Sequence, residues 1–168
     1  RYCHVGTGNY NPKTARLYTD VGYLTSQPDM TADVDRVFQQ LSSLTQMRST
    51  RQLLLAPSSM HSQMVRCIQR VADSARAGGP ARIVVKVNSL TDEPLTRALI
   101  EAGQAGAQID LIVRGACILP PGVPGQTDNI RVRSVVGRML EHTRVLYFRW
   151  GEAEHDEVLA KSASAVQA

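Results

Sequence analysis

Apolar and polar positions along the chain follow two rhythms, and the changes between them outline the fold. Residues 1–5 read as the end of a strand and run into the loop Gly6-Thr7-Gly8-Asn9, and residues 18–25 (YTDVGYLT) carry a second short strand. The period then lengthens: Val34, Phe38 and Leu41 recur at three-to-four spacing, which predicts a helix with Thr31 as its N-cap. A polar stretch from Ser42 to Thr50 breaks the pattern and places a domain boundary there, dividing the chain into 1–48 and 49–168. Beyond it, Gln52-Leu-Leu-Leu-Ala-Pro57 reads as a buried strand stopped by proline.

Alternation is regular from that point. Residues 59–77 put Met60, Met64, Cys67, Ile68 and Val71 on one side of a helix that stops at Gly78-Gly79-Pro80. A strand over 82–88 leads to a helix capped by Asp92, with Pro94 in its first turn, running to Gly106. A strand over 108–114 follows. Next come a loop over 115–128, a strand over 129–135, a short helical turn and a strand over 144–149. Strands alternating with helices make βαβ units, so the expected class is α/β with a mostly parallel or mixed sheet. The loop 115–128, with Pro120, Pro121, Pro124 and three glycines, is long for a connector and reads as a site loop. The low-complexity ending KSASAVQA and the opening without Met predict a fold truncated at both ends.

Composition narrows the function classes modestly. With 43% hydrophobic and 20% charged residues the chain reads as globular, and no apolar run approaches the roughly 20 residues of a membrane helix. The first residues lack the basic leader and apolar stretch of a signal peptide. Cys3, Cys67 and Cys117 are odd in number and never paired as CxxC, which argues against a disulfide framework or a zinc site. Net charge is +4, and of 19 basic residues only Lys13, Lys86 and Lys161 are lysine. Guanidinium groups match phosphate oxygens two at a time, so an arginine-rich chain suits a phosphate-bearing partner, although codon preference alone yields the same bias.

Three constellations carry candidate chemistry. In Tyr2-Cys-His4-Val-Gly6-Thr7-Gly8-Asn9, paired glycines allow a phosphate to approach the backbone, with amide N–H groups and the Thr7 hydroxyl as donors. Downstream, Lys13, Arg16, Tyr18 and Asp20 add two cations, an aromatic and an acid; Tyr18 either stacks on a base or fills the core. In Asp110-Leu-Ile-Val-Arg114-Gly115, Arg114 ends an apolar strand, where open α/β sheets place ligands and where a structural ion pair is the alternative. In Glu141-His142-Thr-Arg144, a strand would put His142 and Arg144 on one face, an imidazole beside a guanidinium suited to proton transfer at a phosphoryl group.

The strings YCHVGTGNYNPKTARLYTD and DLIVRGACILPPGVPGQTDNIRVRSVVGRMLEHTRVLYF resemble the two C-terminal catalytic segments of long-form polyphosphate kinases, with similarity over about residues 1–150. The resemblance implies two phospholipase D-like domains, 1–48 closing the first and 49–168 forming most of the second. It implies reversible transfer of the ATP γ-phosphate to inorganic polyphosphate through a phosphohistidine. Tyr18, Arg114 and His142 match positions that contact the nucleotide, and His142 also assists transfer. ATP or ADP is then the substrate, and magnesium is expected on ligands outside this stretch. The family's phosphorylated histidine lies in a His-x-Lys pair. His4, His61, His142 and His155 are followed by Val-Gly, Ser-Gln, Thr-Arg and Asp-Glu, so none of them matches it. These 168 residues alone are therefore expected to be inactive. Lys161-Ser-Ala-Ser164 stands where the family has a Gly-Ser-Ala-Asp-like loop. The resemblance further implies a homo-oligomer in the cytoplasm, with peripheral membrane contact left open and no nucleic-acid partner. Two alternatives remain: a phospholipase D-like phosphodiesterase, against which the His-x-Arg pair speaks, and a non-catalytic nucleotide- or polyanion-binding remnant.

Overall fold

A computed structural model describes residues 1–44, 49–151 and 157–159. Strands are β1 (Cys3–Gly6), β2 (Tyr18–Thr19), β3 (Gly22–Thr25), β4 (Ala81–Val87), β5 (Gln108–Val113), β6 (Ile130–Arg133), β7 (Leu140–Glu141), β8 (Val145–Trp150) and β9 (Glu157–Leu159). The α-helices are α1 (Pro28–Ser43), α2 (Met60–Arg76) and α3 (Glu93–Gln104). The fold is α/β, as expected. Its main sheet runs in the order β6-β5-β4-β8-β9, with β4, β5 and β6 parallel and β8 and β9 antiparallel to their neighbours. Two small sheets flank it: β1 pairs with β3 antiparallel, and β2 pairs with β7 in parallel.

Period-two alternation sorts the main sheet into two unlike faces. Ile83 and Val85 of β4, Ile109, Leu111 and Val113 of β5, and Leu146 and Phe148 of β8 are buried, and with Cys67, Ile68 and Val71 of α2 and Leu99 of α3 they form one core. Gly78 (φ +74°) and Gly106 (φ +107°) take the left-handed conformation just past α2 and α3, where a Cβ would strain the turn. Asp92 caps α3 by accepting the Leu95 N–H at 2.9 Å. On the opposite face Asp110 collects arginines from both neighbouring strands: Arg131 Nε at 2.8 Å and Arg82. Burial works against ionisation of Asp110, but the Arg131 hydrogen bond and the charges of Arg82, Arg131 and Arg133 outweigh it and leave its pKa below the ordinary carboxylate value.

Several expectations are corrected. The strand expected over 18–25 is two strands, broken at Asp20-Val21, where the chain turns so that the Asp20 carboxylate meets Thr7. The first helix opens at Pro28, because proline's fixed φ suits a first turn and its missing N–H is not needed there. Thr31 is thus inside α1, its hydroxyl bonded to the Pro28 carbonyl at 3.1 Å, and is no cap. Phe38 and Leu41 are exposed, and the buried positions of α1 are Thr31, Asp33 and Gln40. Residues 52–57 form no strand. The fully buried Asp33 Oδ2 accepts the N–H groups of Arg51 at 2.8 Å, Gln52 at 2.6 Å and Leu53 at 3.2 Å, and three consecutive donors aimed at one oxygen cannot join a ladder.

Residues 136–139 hold no helical turn; the chain bends at Arg138-Met139 and enters β7. The loop 115–128 borders neither cleft described below and is anchored at two points. Leu119 and Thr127 are buried, and the Thr127 hydroxyl donates to the Pro120 carbonyl at 2.9 Å while accepting the Val123 N–H at 2.8 Å. The three cysteines are free thiols, Cys3 and Cys67 buried. The ending KSASAVQA lies outside the described residues.

Two stability predictions follow from the carboxylates. Asp33→Ala strands three backbone donors and is expected to cost about 3 kcal/mol in urea unfolding. Asp110 has a lowered folded pKa, so its stabilisation is complete above the unfolded value of about 3.9 and is lost as pH falls through the folded value. The difference in urea midpoint between the native chain and Asp110→Asn should therefore be constant near neutrality and shrink below about pH 4.

Candidate active site

A strap of residues 140–144 leaves the main sheet just before β8 and crosses to β2, more than a hundred residues earlier in the chain. Tyr18 pairs with Leu140 and Thr19 with Glu141. The Leu140 N–H donates to the Leu17 carbonyl at 2.8 Å and the His142 N–H to the Thr19 carbonyl at 3.2 Å, while the Thr143 hydroxyl donates to the same Thr19 oxygen at 3.0 Å. From below, Lys86 near the end of β4 holds the strap: its Nζ lies 2.9 Å from Glu141 Oε2 and donates to the Thr143 carbonyl at 3.4 Å. The Lys86 and Thr19 hydrogen bonds lower the Glu141 pKa and keep this carboxylate ionised.

Pairing puts His142 against residues of the first segment. Its ring stacks on Tyr18, with centroids 4.7 Å apart and planes 21° from parallel. Its Nδ1 lies 2.9 Å from Asp20 Oδ1. An ionised carboxylate only accepts, so Nδ1 carries the proton and Nε2 presents a lone pair. Arg144 Nη1 donates to that Nε2 at 3.3 Å and to the His142 carbonyl at 3.3 Å. The expected meeting of His142 and Arg144 therefore occurs, although both precede β8 and do not lie within a strand. Arg114, just past β5, donates from Nη1 to the Glu141 carbonyl at 2.9 Å. Burial first, and the nearby charge of Arg114 second, lower the pKa of Arg144, partly offset by Asp20.

The glycine loop closes the other side. The Thr7 hydroxyl donates to Asp20 Oδ1 at 2.8 Å and accepts the Val21 N–H at 3.0 Å. Buried and doubly engaged, it is not a spare donor for a phosphate, contrary to the expectation from sequence. Gly8 has a steric duty: a Cβ there would stand 2.6 Å from Asp20 Oδ2. His4 lies in β1, with Nδ1 2.5 Å from the Tyr10 hydroxyl. Lys13 and Arg16 are exposed.

Two open clefts meet at Tyr18. One, of about 490 Å³, is bordered by Leu17, Tyr18, Arg114, Val136, Met139 and Glu141, an apolar hollow with a cation. The other, of about 290 Å³, is bordered by His4, Gly8, Tyr10, Tyr18 and Asp20. Tyr18, Arg114 and His142 thus gather at one place. The sequence offers no site role for Glu141 or Lys86 and no link between Asp20 and His142; contacts across the fold single out these residues. Among the described residues no three His, Cys, Asp or Glu side chains converge as a metal site. No helix among the described residues is long and apolar enough to cross a membrane.

Comparison with known proteins bears on the fold and the family. Residues 53–167 match the family described as polyphosphate kinase C-terminal domain 2, and residues 1–47 match polyphosphate kinase C-terminal domain 1. A polyphosphate kinase of Synechocystis is 52% identical over 154 residues, which cover 92% of this chain and 21% of that protein. One from Burkholderia vietnamiensis is 50% identical over 163 residues, covering 97% of this chain and 23% of that protein. The crystal structure of polyphosphate kinase from Porphyromonas gingivalis superposes with a TM-score of 0.87 at 35% identity, covering 97% of this chain and 26% of that one. The chain spans about a fifth to a quarter of the length of these relatives. With a family match over more than half of its length, the chain belongs to the polyphosphate kinase C-terminal family.

Proposed function

We propose that these residues form the nucleotide-handling part of an ATP:polyphosphate phosphotransferase, which moves the ATP γ-phosphate reversibly to inorganic polyphosphate. The observation that carries this reading is that the β2–β7 pairing stacks His142 on Tyr18, which borders one open cleft together with Arg114. In this reading the base stacks beside Tyr18 within the hollow bordered by Leu17, Val136 and Met139, and Arg114 offsets the charge of the nucleotide phosphates. His142 is oriented by Asp20 and Tyr18, and once Nε2 has taken up a proton it stabilises or protonates the transferring oxygen. The phosphohistidine forms on a residue outside these 168. Magnesium accompanies ATP and offsets phosphate charge when bound; its ligands lie elsewhere in the whole enzyme. Residues 1–48 close the first of two phospholipase D-like domains and 49–168 form most of the second, in a cytoplasmic homo-oligomer.

In the full-length enzyme, His142→Ala is expected to lower kcat for polyphosphate synthesis by roughly 10²- to 10³-fold. Tyr18→Ala should raise the KM for ATP roughly tenfold, and Arg114→Ala roughly ten- to a hundredfold. Activities within twofold of the unsubstituted enzyme for all three would refute the assignment. The chain by itself, with no His-x-Lys pair, should make no polyphosphate from ATP; steady synthesis by the purified 168-residue chain would contradict that expectation.

A further inference from the structure

Arg114 follows β5 and Arg144 precedes β8, yet their Nη1 atoms bind the carbonyls of consecutive residues, Glu141 and His142. Both guanidiniums therefore sit beside one short stretch of backbone, and both are half-buried. Their named hydrogen bonds go to neutral acceptors: two carbonyls and the imidazole Nε2. Neighbouring carboxylates are engaged elsewhere, Glu141 with Lys86 and Asp20 with His142 and Thr7. Among the described residues neither arginine has a carboxylate within the 4 Å of an ion pair. The arrangement is two like charges, partly removed from water, with no direct ion pair and only the partial compensation of Asp20 at Arg144, which favours an incoming anion. A guanidinium offers five donors in a planar fork, and one or two bonds from each leave several to spend.

We propose that Arg144 completes, with Arg114, a two-guanidinium clamp that grips a single phosphate of a phosphoanhydride chain. This deepens the phosphotransferase reading and rests on it. Arg114 approaches from the apolar cleft at Tyr18, and Arg144 from the His142 side of the strap. A phosphate held between them lies next to His142 Nε2, where the transferring oxygen must be. Nucleotide triphosphate and inorganic polyphosphate both present the required group, so the two sources are separated by experiment.

The test is a titration of the full-length enzyme with inorganic tripolyphosphate and, separately, with the β,γ-imido analogue of ATP. Arg144→Gln and Arg114→Gln should each weaken binding roughly tenfold or more. The double variant should be little worse than either single one, because both arginines act on one phosphate. Weakening for the ATP analogue alone assigns the clamp to the nucleotide, and for tripolyphosphate alone to the polymer. Arg97→Gln, which removes an exposed pair with Glu93 on α3, should leave both titrations unchanged. If Arg144→Gln fails to fold, Arg144→Lys keeps the charge without the fork and should still bind several-fold more weakly. Binding by a folded Arg144 variant within twofold of the unsubstituted enzyme, or losses that multiply in the double variant, would overturn the clamp. If the first of these occurs while Arg114 and His142 variants lose activity, the clamp fails and the phosphotransferase reading stands. If the unsubstituted enzyme binds neither probe, both fail.

Discussion

Everything distinctive about the site depends on a pairing of only two residues on each side. Tyr18 and Thr19 lie alongside Leu140 and Glu141, and the neighbouring Leu17 and Thr19 carbonyls accept the Leu140 and His142 N–H groups. So short a ladder has little cooperativity of its own. It is held in place because the strap is anchored at both ends: Lys86 and Glu141 tie it to β4, and β8 leaves it directly for the centre of the core. The buried sheet thereby sets where His142 stands, and the parallel pairing sets what it meets. A first segment with its glycine loop and a second segment with its cations become one site.

Two groups of arginines show how differently the fold treats the same side chain. On the sheet face away from α2 and α3, Asp110 pairs with both Arg82 and Arg131, so each of those guanidiniums touches a carboxylate. At the strap, Arg114 and Arg144 donate to carbonyls and an imidazole, and the nearby acids serve other partners. Charge left uncompensated in a partly buried place is destabilising for the empty protein and favourable for an incoming anion. The same logic explains Asp20, whose carboxylate orients His142 and Thr7 and requires Gly8 to be bare.

Much of the second segment was legible in the sequence because its signals are local. The stripe Cys67, Ile68, Val71, the stop at Gly78, the Asp92 cap and the alternation in β4, β5 and β8 each follow from near neighbours. The failures share a cause in distant partners. Gln52 and Leu53 look like a strand, but their N–H groups belong to Asp33 on α1. Leu140 and Glu141 look like part of a turn because the β2 strand they pair with is far away in sequence. Tyr18, Arg114 and His142 stand out through a family resemblance and Arg144 through its spacing from His142, while the role of Asp20 in orienting His142 emerges only from who touches whom.

The most direct test of the central claim is a crystal structure of the full-length enzyme with a non-hydrolysable ATP analogue. The account predicts that β2 and β7 remain paired, with the base beside Tyr18 and a phosphate reached by Arg114 and lying next to His142. A nucleotide seated away from Tyr18, or residues 18–19 separated from 140–141 in the complex, would contradict it.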